Sequence, residues 1–203
     1  MKIKFCLLFF LCIPVISCGQ RFHGGAMGGL AATQIDGDNL GGYNKPGVRV
    51  GGWVNTEVWP NTIMQLELEY LQKGSKISQR EYGYNNYQEY YHCRLNYIQV
   101  PLLVKTGLMH RLDGEAGMAA AYLTRAMEDK DGSGFIEARP DFTQFELSGL
   151  IGLSYWLTVN LAVHVRFNYS LFPVREHPGE QTYWLDRGQF NNVMLFSLYY
   201  RID

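Results

Sequence analysis

The chain has 203 residues, 47% of them hydrophobic and 18% charged, with 18 basic against 19 acidic side chains and a net charge of −1. That balance leaves no electrostatic footprint for nucleic acid, and no nucleic-acid partner is expected. The 14 tyrosines, 11 phenylalanines and 22 glycines favour strands and turns over helices.

Residues 1–19 have the layout of a secretory signal peptide. Lys2 and Lys4 precede an uncharged apolar run over 5–16 that is too short to cross a bilayer as a helix. Two endings stay open. Ser17 and Gly19 are small residues at the spacing a signal peptidase reads, which puts cleavage before Gln20; Val15, Ile16, Ser17 and Cys18 resemble a lipoprotein box, which would lipidate Cys18. Without Lys2 and Lys4 the net charge moves to −3, and of the four cysteines only Cys93 is certain to remain, so no disulfide framework exists within one mature chain. The remaining 20–203 suit one domain. No apolar run after residue 20 reaches the roughly 18 residues of a membrane helix, so any membrane span must be a closed barrel of strands.

Period-two alternation marks the strands. In chain order they are expected over 22–33, 48–56, 63–73, 92–106, 112–124, 142–156, 158–170 and 190–202. Over 63–73, Met64, Leu66, Leu68 and Tyr70 share one face, against Gln65, Glu67 and Glu69. Over 158–170, Val159, Leu161, Val163, Val165, Phe167 and Tyr169 oppose a face carrying His164, Arg166 and Asn168. Pro101 cannot donate a ladder hydrogen bond and is expected to mark a bulge or a change of phase. Long connections (34–47, 73–91, 125–141, 171–189) alternate with short ones (57–61, 107–111, 156–158), as in outer-membrane barrels. The expectation is an all-β fold: an eight-stranded antiparallel up-and-down transmembrane β-barrel with both termini in the periplasm and four long external loops. Bulky apolar residues then face lipid, and small or charged ones fill the lumen. The soluble alternative, a periplasmic lipocalin-like carrier, turns the apolar face inward instead.

The chain resembles the PorT-like family of outer-membrane β-barrel proteins. The residues that carry this are Gln20-Arg21-Phe22-His23-Gly24-Gly25, Gln34-Ile35-Asp36-Gly37-Asp38, Leu95-Asn96-Tyr97-Ile98-Gln99-Val100-Pro101-Leu102-Leu103, Ser170-Leu171-Phe172-Pro173-Val174-Arg175 and Gly188-Gln189-Phe190-Asn191-Asn192. The resemblance spans nearly the whole mature chain and implies an outer-membrane barrel inserted by the barrel assembly machinery. The family's namesake is associated with a protein-secretion apparatus, so a secretion or envelope partner is an expectation by analogy. The chain departs from the usual barrel ending: Arg201-Ile202-Asp203 follows Tyr200 where a terminal aromatic often stands.

Charged residues on the inward faces, Arg49, Glu67, Glu69, Arg94, Glu115, Glu146 and Arg166, are expected to pair and plug a lumen too narrow for an open channel. A gated proton or ion path is the sharper alternative. An enzyme acting on envelope lipid would need a nucleophile, a base and an acid at one rim; His164 has no serine at a flanking position, so no catalytic residue and no cofactor are expected. The run Asp129-Lys130-Asp131-Gly132-Ser133-Gly134-Phe135-Ile136-Glu137 matches the start of an EF-hand loop. It has Pro140 where the bidentate glutamate belongs, which leaves Asp129, Asp131, Ser133 and Glu137 as a weak calcium candidate. His23-Gly24-Gly25-Ala26-Met27-Gly28-Gly29 lacks the Lys-Ser/Thr of a phosphate loop and reads as close strand packing. Tyr82, Tyr84, Tyr87, Tyr90 and Tyr91, set among Asn, Gln and Glu, form a candidate surface contact, or else extend the strands past the membrane. The expected protein is monomeric, with a non-catalytic structural or surface-interaction role.

Overall fold

The computed structural model describes residues 21–38, 40–77, 90–176 and 188–202. The expected signal peptide, Tyr82, Tyr84 and Tyr87 lie outside them. Among the described residues the strands are β1 (Phe22–Asp36), β2 (Lys45–Trp59), β3 (Thr62–Lys73), β4 (His92–Met109), β5 (Leu112–Asp129), a two-residue β6 (Ile136–Glu137), β7 (Phe145–Trp156), β8 (Leu161–Ser170) and β9 (Phe190–Ile202). Each long strand pairs antiparallel with its neighbour, and β1 closes the barrel on β9. Met27 on β1, for example, faces Gly51 on β2 and Tyr199 on β9. The result is a closed eight-stranded barrel, with β6 pairing beside the upper end of β5.

The alternation sets the two faces. On β3, Gln65, Glu67, Glu69, Leu71 and Lys73 are buried while Met64, Leu66 and Leu68 are exposed. On β8, Ala162, His164, Arg166, Asn168 and Ser170 are buried and Val163 and Val165 exposed. Apolar side chains therefore point out: Leu68 is 60% and Ile151 62% exposed, while Arg166 is 0% exposed. This is the reverse of a lipocalin-like carrier and suits a barrel whose outer face meets hydrocarbon.

The short connections are built by residues in the left-handed region. Asn61 (φ 63°) sits between β2 and β3, and Arg111 (φ 68°) between β4 and β5. Asn61 Nδ2 donates to Gly107 O at 3.0 Å and Thr106 Oγ1 to Asn61 O at 3.2 Å, which ties the two adjacent turns together. Between β7 and β8 the turn is longer than expected. Thr158 Oγ1 accepts from Leu161 N at 3.0 Å, so strand pairing resumes only at Leu161.

β1, β2 and β5 run past their expected ends toward the long connections, whereas β4 gains its extra residues at the turn with β5 and β7 starts at Phe145, later than expected. β4 and β5 have 18 residues each; at ~3.3 Å per residue and ~40° tilt such strands rise about 45 Å, well past an apolar band of about 25 Å. Pro101 brings no phase change: Tyr97, Gln99, Leu103 and Lys105 all stay buried. The β3–β4 register has the same offset at Leu66↔Leu102 and Glu69↔Gln99, on either side of it. The bulge lies instead at Thr124, between Tyr97↔Leu123 and Asn96↔Arg125. Inward-facing Gly117 permits a close approach, since a Cβ there would stand 2.1 Å from Leu102 O. A strand can bend sharply at such a point, as closing a small barrel requires.

Candidate functional site

The lumen carries three stacked groups of charge. In the middle, Arg49 of β2 puts Nε 2.6 Å from Glu69 Oε2 and Nη2 2.9 Å from Glu67 Oε2. From the opposite wall, Arg166 of β8 sends Nη1 and Nη2 to the two oxygens of Glu67, at 2.7 and 3.0 Å, and Nε to Glu115 Oε1 at 2.6 Å. Lys105 Nζ closes on Glu115 Oε2 at 3.1 Å. The Tyr199 hydroxyl donates to Glu67 Oε1 at 2.9 Å and accepts from Arg49 and Arg166 at 3.0 and 3.2 Å. Gln65 and Gln99 donate to Glu67 and Glu69. Side chains from β2, β3, β4, β5, β8 and β9 thus meet across the bore, and the ion-paired carboxylates and guanidiniums are 0 to 1% exposed. Buried charges persist in this way only when paired and hydrogen-bonded.

Toward the long loops, Lys73 Nζ lies 2.6 Å from Glu146 Oε1 and 4.8 Å above the Tyr97 ring, while Asn191 Nδ2 donates to Glu146 Oε2 at 2.7 Å. At the mouth, Arg175 pairs with Glu128, the Tyr91 hydroxyl donates to Glu128 Oε1 at 2.7 Å, and the Arg175 guanidinium lies 4.6 Å over the Phe142 ring. Burial pushes the Tyr91 hydroxyl well above its usual range, so it remains a donor. At the opposite end, a vestibule of about 780 Å³ is lined by Arg21, Asn55, Glu57, Lys105, Asp113 and Arg201 among others. Asp113 there accepts from Trp156 Nε1 at 2.7 Å, and Arg201 stacks on the same indole at 4.8 Å.

Residues 17–176 match the model of the outer membrane protein beta-barrel domain family. The chain belongs to that family. Among solved structures it is similar to Neisserial surface protein A, with 14% identity and a TM-score of 0.54 over 89% of this chain and 97% of that one. It is also similar to Ail, the attachment invasion locus protein of Yersinia pestis, with 12% identity and a TM-score of 0.51 over 89% and 98%. No curated protein sequence matches the chain. The family and the fold place this outer-membrane barrel in lipid, with its short turns toward the periplasm and its long loops outside.

Six of the seven charges expected inside the barrel, Arg49, Glu67, Glu69, Glu115, Glu146 and Arg166, are buried in the lumen. Arg94 is not among them. It sits on the opposite phase of β4 from Leu95, Tyr97 and Gln99, and its guanidinium lies outside, 4.5 Å over the Phe135 ring. One phase runs unbroken along β4 through Pro101, and that phase excludes Arg94 and admits Lys105. Lys73 continues the phase of Glu67 and Glu69 and was legible in the same way. Tyr199 was not, since a tyrosine among Leu and Tyr on β9 gives no polar signal.

The calcium candidate is not assembled. Asp129 Oδ1 accepts from Gly132 N at 2.8 Å, Asp131 Oδ1 accepts from Ser133 N at 3.0 Å, and Glu137 of β6 pairs with Met127 of β5. The carboxylates of Asp129 and Asp131 thus close turns. Among the described residues no group of three or more His, Cys, Asp or Glu is placed to hold a metal ion. Of the two described tyrosines from the candidate surface contact, Tyr91 turns to Glu128 and Tyr90 packs beside Gly132. His164, with no serine next to it in sequence, has Ser154 and Ser197 across from it on β7 and β9. Its Nε2 lies 2.8 Å from Glu115 Oε1, and its Nδ1 faces Arg49 Nη1 at 3.4 Å. Neither ring nitrogen is left to take a proton from a serine hydroxyl.

Proposed function

We propose that this protein is a monomeric, non-catalytic outer-membrane scaffold whose lumen is closed to ions. In this reading residues 1–19 are removed on export, the barrel assembly machinery inserts 20–203, and the external loops meet an envelope or secretion partner. The observation that carries the closed lumen is the junction of Arg49 and Arg166 on Glu67, drawn from opposite walls with no side-chain exposure. A solvated ion passing this level must separate several charge-assisted hydrogen bonds at once, in a medium that screens them poorly. The engaged ring nitrogens of His164 support the non-catalytic part. The PorT-like resemblance supports the secretion partner by analogy alone.

Refolded protein, confirmed as folded by a heat-dependent shift in gel mobility, is expected to give no stepwise conductance in planar bilayers. Regular, reproducible conductance steps from well-inserted wild-type protein would overturn the closed reading. Glu67→Ala together with Arg166→Ala is expected to open measurable conductance, because the substitutions remove the side chains that fill the bore.

A further inference from the structure

On one flank the barrel wall has a gap. β7 pairs with β5 only up to Phe145↔Tyr122, and β6 takes up the same side of β5 at Glu137↔Met127. Between these points Leu123 N donates to Gln144 O at 2.8 Å and Ala138 N to Ala126 O at 3.3 Å. Thr124 and Arg125 have no partner residue on that side among the described residues, and the β5 bulge falls in the same stretch. The result is a notch of about 430 Å³, within the size range of small-ligand sites.

Strand phase sorts the lining of this notch. Leu123 pairs with Tyr97 and Ala126 with Leu95, both buried, so these two face inward. They pack with the buried Ala138 and Phe142 into an apolar floor. Arg125 pairs with Asn96 and Met127 with Arg94, on the outer phase of β4, and Glu137 stands opposite Met127. Direct partners in an antiparallel ladder share a face, so Arg125 and Glu137 lie together on the outer side. Asp141, exposed in the connection to β7, completes the rim. Among the described residues none of Arg125, Glu137 and Asp141 is in a salt bridge.

Height decides what reaches the notch. Ten residues of β5 separate Leu112, at the periplasmic turn, from Tyr122; at ~3.3 Å per residue and ~40° tilt they rise about 25 Å, the height of the apolar band. Tyr122 and Phe145, just below the notch, are 45% and 71% exposed with ring centroids 5.3 Å apart. Outward aromatic residues of this kind gather where hydrocarbon meets water. The notch thus opens sideways at the level of the outer-leaflet headgroups.

We propose that the notch binds the headgroup of an outer-leaflet lipid carrying both a phosphate and a primary ammonium group. Two carboxylates repel a purely anionic headgroup, and Arg125 repels a purely cationic one. A zwitterion answers both signs: the Arg125 guanidinium donates to the phosphate, and the ammonium donates to Glu137 and Asp141. A trimethylated ammonium has no N–H and cannot make the second contact. The acyl chains descend past Tyr122 and Phe145 into the apolar band.

The test uses the full mature chain, refolded into vesicles of equal parts phosphatidylethanolamine, phosphatidylcholine and phosphatidylglycerol, then extracted in mild non-ionic detergent. A chelator keeps divalent cations from bridging the acids to the anionic lipid. Lipid retained by the protein is measured by mass spectrometry, and heat-modifiable mobility verifies the folding of each variant. Phosphatidylethanolamine is expected to be retained about fivefold over the other two, the net weight of roughly one hydrogen bond. Glu137→Gln together with Asp141→Asn is expected to remove the preference over phosphatidylcholine and to raise retention of phosphatidylglycerol. Arg125→Gln, which leaves the acids in place, is expected to lower retention of phosphatidylethanolamine and phosphatidylcholine alike. All three positions are exposed and lie outside the lumen, so either set suffices if the other does not fold. Equal retention of the three lipids by the wild type, or a preference unchanged in the variants, overturns the proposal.

Discussion

Glu67 receives hydrogen bonds from Arg49, Arg166, Gln65 and Tyr199, and among the described residues no other carboxylate is shared by both guanidiniums. Replacing it leaves two buried cations leaning on Glu69 and Glu115 alone. Glu67→Ala is therefore expected to lower stability by about 3–5 kcal/mol, the usual cost of removing one partner from a buried pair. Urea unfolding in lipid vesicles measures it, and a loss under about 1 kcal/mol would show that water enters and replaces the carboxylate. Tyr199→Phe keeps the ring against His164 and Trp53 while removing one hydroxyl, so about 1–2 kcal/mol is expected by the same assay. At this scale the sequence was legible where a charge breaks an apolar alternation, as at Glu67 and Arg166. It was not legible for Tyr199, whose role depends on which face of β9 meets the lumen. Nor was it legible for Ser154 and Ser197, which are placed across from His164 only by strand pairing.

Elements carry a different constraint, because a strand in a narrow barrel must both pair and curve. Gly117 faces inward on β5, and its missing side chain is where Leu102 O and Leu103 Cα of β4 stand, 2.1 and 2.9 Å from an added Cβ. Backbone atoms cannot swing aside as a side-chain tip can. Gly117→Ala is thus expected to destabilise the barrel by about 1–3 kcal/mol through overpacking, although alanine is small. Thermal unfolding monitored by the gel-mobility shift checks this; an unchanged midpoint would mean that the β4–β5 pair relaxes freely. The positions of all eight long strands were readable from alternation and from the rhythm of connections. The upper ends of β1, β2 and β5 were not, because beyond the membrane level apolar alternation weakens while pairing continues, as in β5 up to Asp129. The start of β8 was misplaced for a local reason: Val159 continues the apolar pattern, but Thr158 holds the chain in a turn up to Leu161.

For the whole molecule, the decisive property is that its two surfaces are interchanged relative to a water-soluble protein. Ile151, 62% exposed on β7, is expected to tolerate Leu, whereas Ile151→Lys should cost about 2–4 kcal/mol if it lies near the bilayer midplane. The measurement is unfolding in vesicles. A negligible effect would place that part of β7 outside the hydrocarbon. The inside-out pattern was legible in β3 and β8 because charge and bulk segregate there, but choosing lipid over a carrier's interior needed the direction in which the closed sheet turns each face. That closure also sets an order of assembly. The amides along the free side of β1 bond to β9 and to no other strand, so the earliest strand made must wait for the last. A copy halted before residue 190 would present two raw edges to a solvent that offers neither donors nor acceptors. The bilayer itself thereby distinguishes finished chains from unfinished ones, before any protease has to.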